Sequence, residues 1–135
     1  MDGPRPGLAT PVPVLVLGDI LLVTLPGELH DGTAEQLLQD VTRRIAHSAT
    51  TGVVIDISAV DIVDSFLGRV LAEIASSARL LAARTVLAGM QPAVAITLVE
   101  LGLLLPELHT ALDVDRAREL LMRPAPTVPS VESGP

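Results

Sequence analysis

Apolar residues follow two rhythms along this chain: short unbroken runs, and longer stretches in which they return every third or fourth position. Residues 14–17 and 20–25 are runs of the first kind, joined at Gly18-Asp19. They read as a β-hairpin whose second strand is stopped by Pro26 and Gly27. Over residues 33–47 the period changes. Leu37, Leu38, Val41 and Ile45 recur at three- and four-residue steps between Glu35, Gln39, Asp40, Arg43 and Arg44, the pattern of an amphipathic helix. Asp31 or Thr33 is placed to cap it.

The run Val53-Val54-Ile55-Asp56-Ile57 is continuous and β-branched, as expected of a central strand covered on both faces. Residues 85–88 form another such run. Between the two, Ser65 opens a helix in which Phe66, Val70, Ile74 and Ala78 make one stripe, widened by Leu67, Leu71 and Ala75. Arg69 and Glu73 stand four residues apart on its outer side, spaced to pair. Gly89-Met90-Gln91-Pro92 turns into a third helix with Pro92 at its first position, ended by Leu101 and Gly102. A short helix over residues 115–122 follows, and the connection at 103–112 has room for one more edge strand. The order ββαβαβαα predicts an α/β domain with parallel neighbouring strands and right-handed crossovers.

Proline marks the limits of that domain. Pro4, Pro6, Pro11 and Pro13 make residues 1–13 a flexible Pro/Gly-rich tail, and Pro124, Pro126, Pro129 and Pro135 make residues 124–135 a disordered Pro/Ser-rich one. Residues 14–123 are the expected domain. Hydrophobic residues are 49% of the 135, enough for one core and no second domain. The early prolines interrupt any secretory h-region, and the best apolar stretch, residues 12–25, is broken by Pro13, Gly18 and Asp19, well short of the roughly 20 residues of a spanning helix. A soluble cytoplasmic protein, away from membranes, is the expectation.

Charge and side-chain chemistry narrow the function. The net charge is −7, all nine basic residues are arginine, and Phe66 is the single aromatic residue, a balance that opposes nucleic-acid binding and favours protein partners. Without cysteine there is no disulfide, thiol catalysis or thiolate metal site. His30, His47 and His109 are isolated, and neither a nucleophile elbow nor a phosphate-cradling glycine loop occurs. The residues therefore suggest no enzyme, no metal and no cofactor.

Asp56, Asp61 and Asp64 spread over nine residues, too sparse for a calcium loop, and read as solvated loop acids. Thr97 is a helix hydroxyl of the kind usually packed or bonded back to the preceding turn. Ser65 has two readings. A serine opening a helix can cap it, and the same N–H groups and dipole would stabilise a phosphate on its oxygen. The residues leave both open.

The run from Val53 to Phe66 resembles the STAS domain family, the anti-sigma-factor antagonist fold, and Ala88-Gly89-Met90-Gln91-Pro92 with the helix through Gly102 is similar to the stressosome scaffolds within it. The likeness covers about residues 13–122. It implies a STAS-type single domain, a mixed, largely parallel β-sheet with helices packed on one face. It further implies a non-enzymatic scaffold in bacterial stress signalling that joins sensor paralogues carrying their own STAS domains, in a large hetero-oligomer or as a homodimer. Such scaffolds hold a serine/threonine switch kinase and release it when the serine matching Ser65 is phosphorylated; a phosphatase resets them. Asp61, Asp64, Phe66 and Arg69 then form the partner surface, and Thr97 matches a secondary phosphorylation site of the sensors. Alternatives within the resemblance are a stand-alone antagonist binding an anti-sigma kinase, or an accessory subunit of a membrane transport system.

Overall fold

The computed structural model describes residues 12–102 and 108–123. Strands β1 (Val14–Leu17) and β2 (Ile20–Thr24) form the expected antiparallel hairpin, with Gly18 at φ 64° in its turn, a value that favours glycine. Helix α1 (Asp31–Ala46) leads to β3 (Gly52–Asp56), α2 (Ser65–Leu80) to β4 (Arg84–Ala88), and α3 (Pro92–Glu100) to β5 (Leu108–Ala111); α4 (Val114–Met122) follows. The further edge strand is thus present as β5, although residues 103–107 of that connection lie outside the described residues. So do the two proline-rich tails, apart from Val12, Pro13 and the domain limit at Arg123.

The sheet runs β1-β2-β3-β4-β5, with β2 through β5 parallel. Each parallel strand is added on the same side of its predecessor. Right-handed crossovers then send α1, α2 and α3 to one face. Side-chain parity agrees: Leu21, Val23, Val53, Ile55 and Leu87 point into one cluster with Leu37, Val41, Val70, Ile74, Val94 and Leu98 from the three helices. The expected helical layer is therefore built from these three. No crossover constrains α4, and it covers the opposite face, where Ala117 and Leu121 meet Ile20, Val54, Val86 and Ala88.

Two strand residues seat α4. A Cβ on Gly52 would lie 2.7 Å from Leu121 Cδ1, so glycine lets the leucine lie on the strand. Arg84 Nη2 donates to Leu121 O at 2.9 Å and to Arg123 O at 2.7 Å, supplying donors and positive charge to carbonyls at the C-terminal end of α4. Asp113 caps the other end by accepting from Arg116 N at 2.8 Å. That bond lowers its pKa below the ordinary carboxylate value, with a smaller contribution from the Arg116 charge.

The α1 cap differs from expectation. The N-cap is His30, which makes no side-chain cap bond, while Asp31 is already helical and Thr33 is buried. Asp31 still complements the dipole from within the first turn.

Candidate functional site

The chain leaves the sheet at the C-terminal end of its central strand, and its next eight residues are held firmly. Asp56 Oδ1 accepts from Ser58 N at 3.0 Å, and Val60 N donates to Ile57 O at 3.0 Å. Val60 and Val63 are buried, which pins the loop at two points and leaves Asp61, Ile62 and Asp64 facing outward. Ile62 is 76% exposed, an apolar residue at the mouth of the site that the sequence pattern did not single out.

Neighbouring loops lock this one in place. Ile57 N donates to Ala88 O at 2.9 Å, and Gln91 Nε2 donates to Ser58 O at 3.0 Å. Gly89 sits at φ 75°, and a Cβ there would be 2.9 Å from Ser58 Cβ. Glycine is required twice over at that position, by backbone angle and by the closeness of the two loops.

Capping at the α2 start falls to Asp64, not to Ser65. Asp64 has extended backbone angles (φ −101°, ψ 177°), its Oδ1 accepts from Leu67 N at 2.9 Å, and its carbonyl accepts from Gly68 N at 3.0 Å. A cap residue must stand just outside the helix with its side chain turned back to the third N–H. Asp64 meets both conditions, and Ser65 is already the first helical residue. Ser65 is exposed, and its hydroxyl makes no hydrogen bond with any described residue. The consequence is an unengaged nucleophilic oxygen on a fixed backbone, one residue inside a helix start whose dipole favours added negative charge.

Beside it, α1 and α2 leave a groove of about 170 Å³ lined by Glu35, Leu38, Phe66, Arg69, Val70 and Glu73. Phe66 is half-buried and packs on the core, so the lone aromatic serves both core and groove. Arg69 is exposed and forms no ion pair with the described residues; the expected Arg69–Glu73 bridge is not made. An exposed pair at this spacing contributes only about 0.2–0.5 kcal/mol, and less with the cation on the N-terminal side. Glu35 and Leu38 belong to the site through the lateral packing of two helices, which no local pattern encodes.

The other candidates stand apart. Asp56 and Asp64 each spend an oxygen on a backbone N–H rather than converging on a common point with Asp61. Among the described residues no group of three His, Asp or Glu side chains is arranged to hold a metal ion. His30 stands before α1, His47 ends it with Nδ1 3.0 Å from Arg43 O, and His109 lies in β5. Thr97 is half-buried on α3 and donates to Ala93 O at 3.1 Å, bonded back to the preceding turn. No described helix is long and apolar enough to cross a membrane.

Known proteins share this fold. A serine-to-glutamate variant of RsbS from Moorella thermoacetica superposes with a TM-score of 0.76 and 41% identity, over 84% of this chain and 96% of that one. A chain from the stressosome, described as a signal integration and transduction hub, superposes with a TM-score of 0.73 and 43% identity, over 82% of this chain and 96% of its own. The RsbT co-antagonist protein RsbRA of Bacillus subtilis (strain 168) is 27% identical over 95 residues, 70% of this chain and 35% of that protein. The chain spans about a third of the length of the curated relatives it matches. The STAS domain description matches residues 12–117, nearly the whole of the described sheet and helices. The chain belongs to the STAS domain family.

Proposed function

We propose that this protein is a phosphorylation-controlled scaffold of a bacterial stressosome, which sequesters an RsbT-like serine/threonine switch kinase and releases it when Ser65 is phosphorylated. The observation that carries the reading is the division of labour at the α2 start: Asp64 caps, so the exposed Ser65 hydroxyl can be modified without taking a bond from the fold. Similarity above 40% to RsbS and to a stressosome chain supports the same role. In this reading the protein acts by binding and catalyses nothing. Its partners are the kinase, RsbR-like sensor paralogues and a phosphatase acting on Ser65, within a cytoplasmic hetero-oligomer, with neither nucleic acid nor membrane involved.

Asp61, Asp64, Phe66 and Arg69 form the partner face, with residues 1–13 and 124–135 as tails outside the domain. A phosphate adds about −1.5 to −2 charge beside Asp61 and Asp64, so the partner meets a changed surface on an unchanged fold. Thr97 ranks second, because its hydroxyl is half-buried and already donates to a backbone carbonyl.

Incubation with the cognate kinase and ATP, followed by phosphosite mapping, tests the reading. The expected result is one main phosphosite at Ser65, lost in Ser65→Ala, which retains the kinase when ATP is added. A main site elsewhere, or kinase release from Ser65→Ala at the parent rate, overturns it.

A further inference from the structure

Arg69 follows Ser65 by four residues on α2, the spacing at which side chains meet across one helical turn. Both are exposed, and neither is engaged by a described residue. Arg69 is also the one cation among the residues that line the α1–α2 groove, whose other charges are Glu35 and Glu73. Phe66, Leu38 and Val70 supply its apolar wall. The groove therefore offers an apolar surface with a single positive group and two negative ones along its lining.

We propose that this groove receives an apolar side chain of the kinase next to a kinase carboxylate held by Arg69, and that a phosphate on Ser65 ejects the kinase by capturing Arg69. This rests on the reading of Ser65 as the modified residue. The order along the helix favours capture, because an anion four residues N-terminal to a cation is the better orientation of such a pair. Glu73 sits on the other side of Arg69 in the poorer orientation and does not hold it. A phosphate brings up to two charges and three acceptor oxygens, which suit the planar guanidinium fork. Once Arg69 is taken, a partner carboxylate meets Glu35, Glu73 and the phosphate with no cation to receive it. Simple repulsion from Asp61 and Asp64 would not involve Arg69 at all, and that difference makes the mechanism testable.

The experiment encodes phosphoserine at position 65 during translation, so that no kinase is needed, and follows the phosphate by ³¹P NMR as pH is varied. Arg69→Gln should raise the titration midpoint by roughly a few tenths of a pH unit, Arg69→Lys should stay nearer the parent, and the difference should shrink with added salt. Equal midpoints in parent and Arg69→Gln overturn the capture. In the unphosphorylated protein, Arg69→Gln should weaken kinase binding about tenfold, as expected for an interfacial charge pair, and phosphorylation should then add little further loss. Parent-like kinase affinity in Arg69→Gln overturns the groove assignment. If the unmodified protein fails to bind the kinase, the scaffold reading and the kinase contact fall together, while the NMR result still decides whether phosphate captures Arg69. Because Arg69 is exposed, its variants should melt with the parent, which circular dichroism checks.

Discussion

Asp64 takes the cap at the α2 start and leaves the Ser65 hydroxyl without a partner among the described residues, a division that stability measurements can test. Asp64→Ala removes the bond from Leu67 N and should cost about 1 kcal/mol, or roughly 3–6 °C in melting temperature for a domain of this size. Ser65→Ala removes a hydroxyl with no partner and should stay within about 0.5 kcal/mol of the parent. Thermal denaturation of the two variants side by side checks this; a larger loss in Ser65→Ala would return the capping role to the serine. The sequence made Ser65 visible as the hydroxyl where a helix opens, but not as free of capping. That distinction depends on the backbone angles of Asp64, a residue whose place in the sequence marked it only as a loop acid. The cap of α1 eluded local reading for the same reason: Asp31 and Thr33 have suitable side chains but lie inside the helix.

At the scale of elements, the hairpin, three helices and central strands were legible because each carries a long or clean hydrophobic period. Strand β5 has only Leu-His-Thr-Ala, four residues without an apolar run, so only the length of its connection hinted at it. The placement of α4 was not legible, since its amphipathic pattern says that one face is buried but not against which side of the sheet. Gly52 and Arg84 hold that answer, one as a missing side chain and the other as a donor to the helix end. Gly52→Ala should drive its new methyl into Leu121 and destabilise the protein by about 1–3 kcal/mol. In the Leu121→Ala background the same change should cost much less, because the obstructing methyls are gone. Chemical denaturation of the four proteins in a double-mutant cycle measures this coupling. Additive losses would mean that Leu121 does not rest on Gly52.

For the whole molecule, the topology separates what stabilises the fold from the face proposed to meet a partner. The core lies on the α1–α3 face and beneath α4, while Ser65, Asp61, Ile62 and the α1–α2 groove sit at the sheet end where β3 gives way to α2. Asp61 and Asp64 were visible in sequence as loop acids; the groove was not, because its walls come from helices some thirty residues apart in the chain. The proposed phosphorylation of Ser65 would add its charge to an exposed oxygen on a protein already at −7, bringing the net charge to about −9. Two opposing terms act on stability. Added negative charge repels Asp61 and Asp64, while the α2 dipole and Arg69 attract it. Each is worth about 1 kcal/mol or less at an exposed site, so they should nearly cancel. Protein carrying phosphoserine at position 65 should therefore unfold in the same single transition as the unmodified chain, with a melting temperature within about 3 °C of it. Hydrogen exchange should show altered protection confined to the first turn of α2 and its preceding loop. A large fall in melting temperature, or loss of protection reaching β3 and β4, would mean that the phosphate works by loosening the domain rather than by changing the charge of its surface.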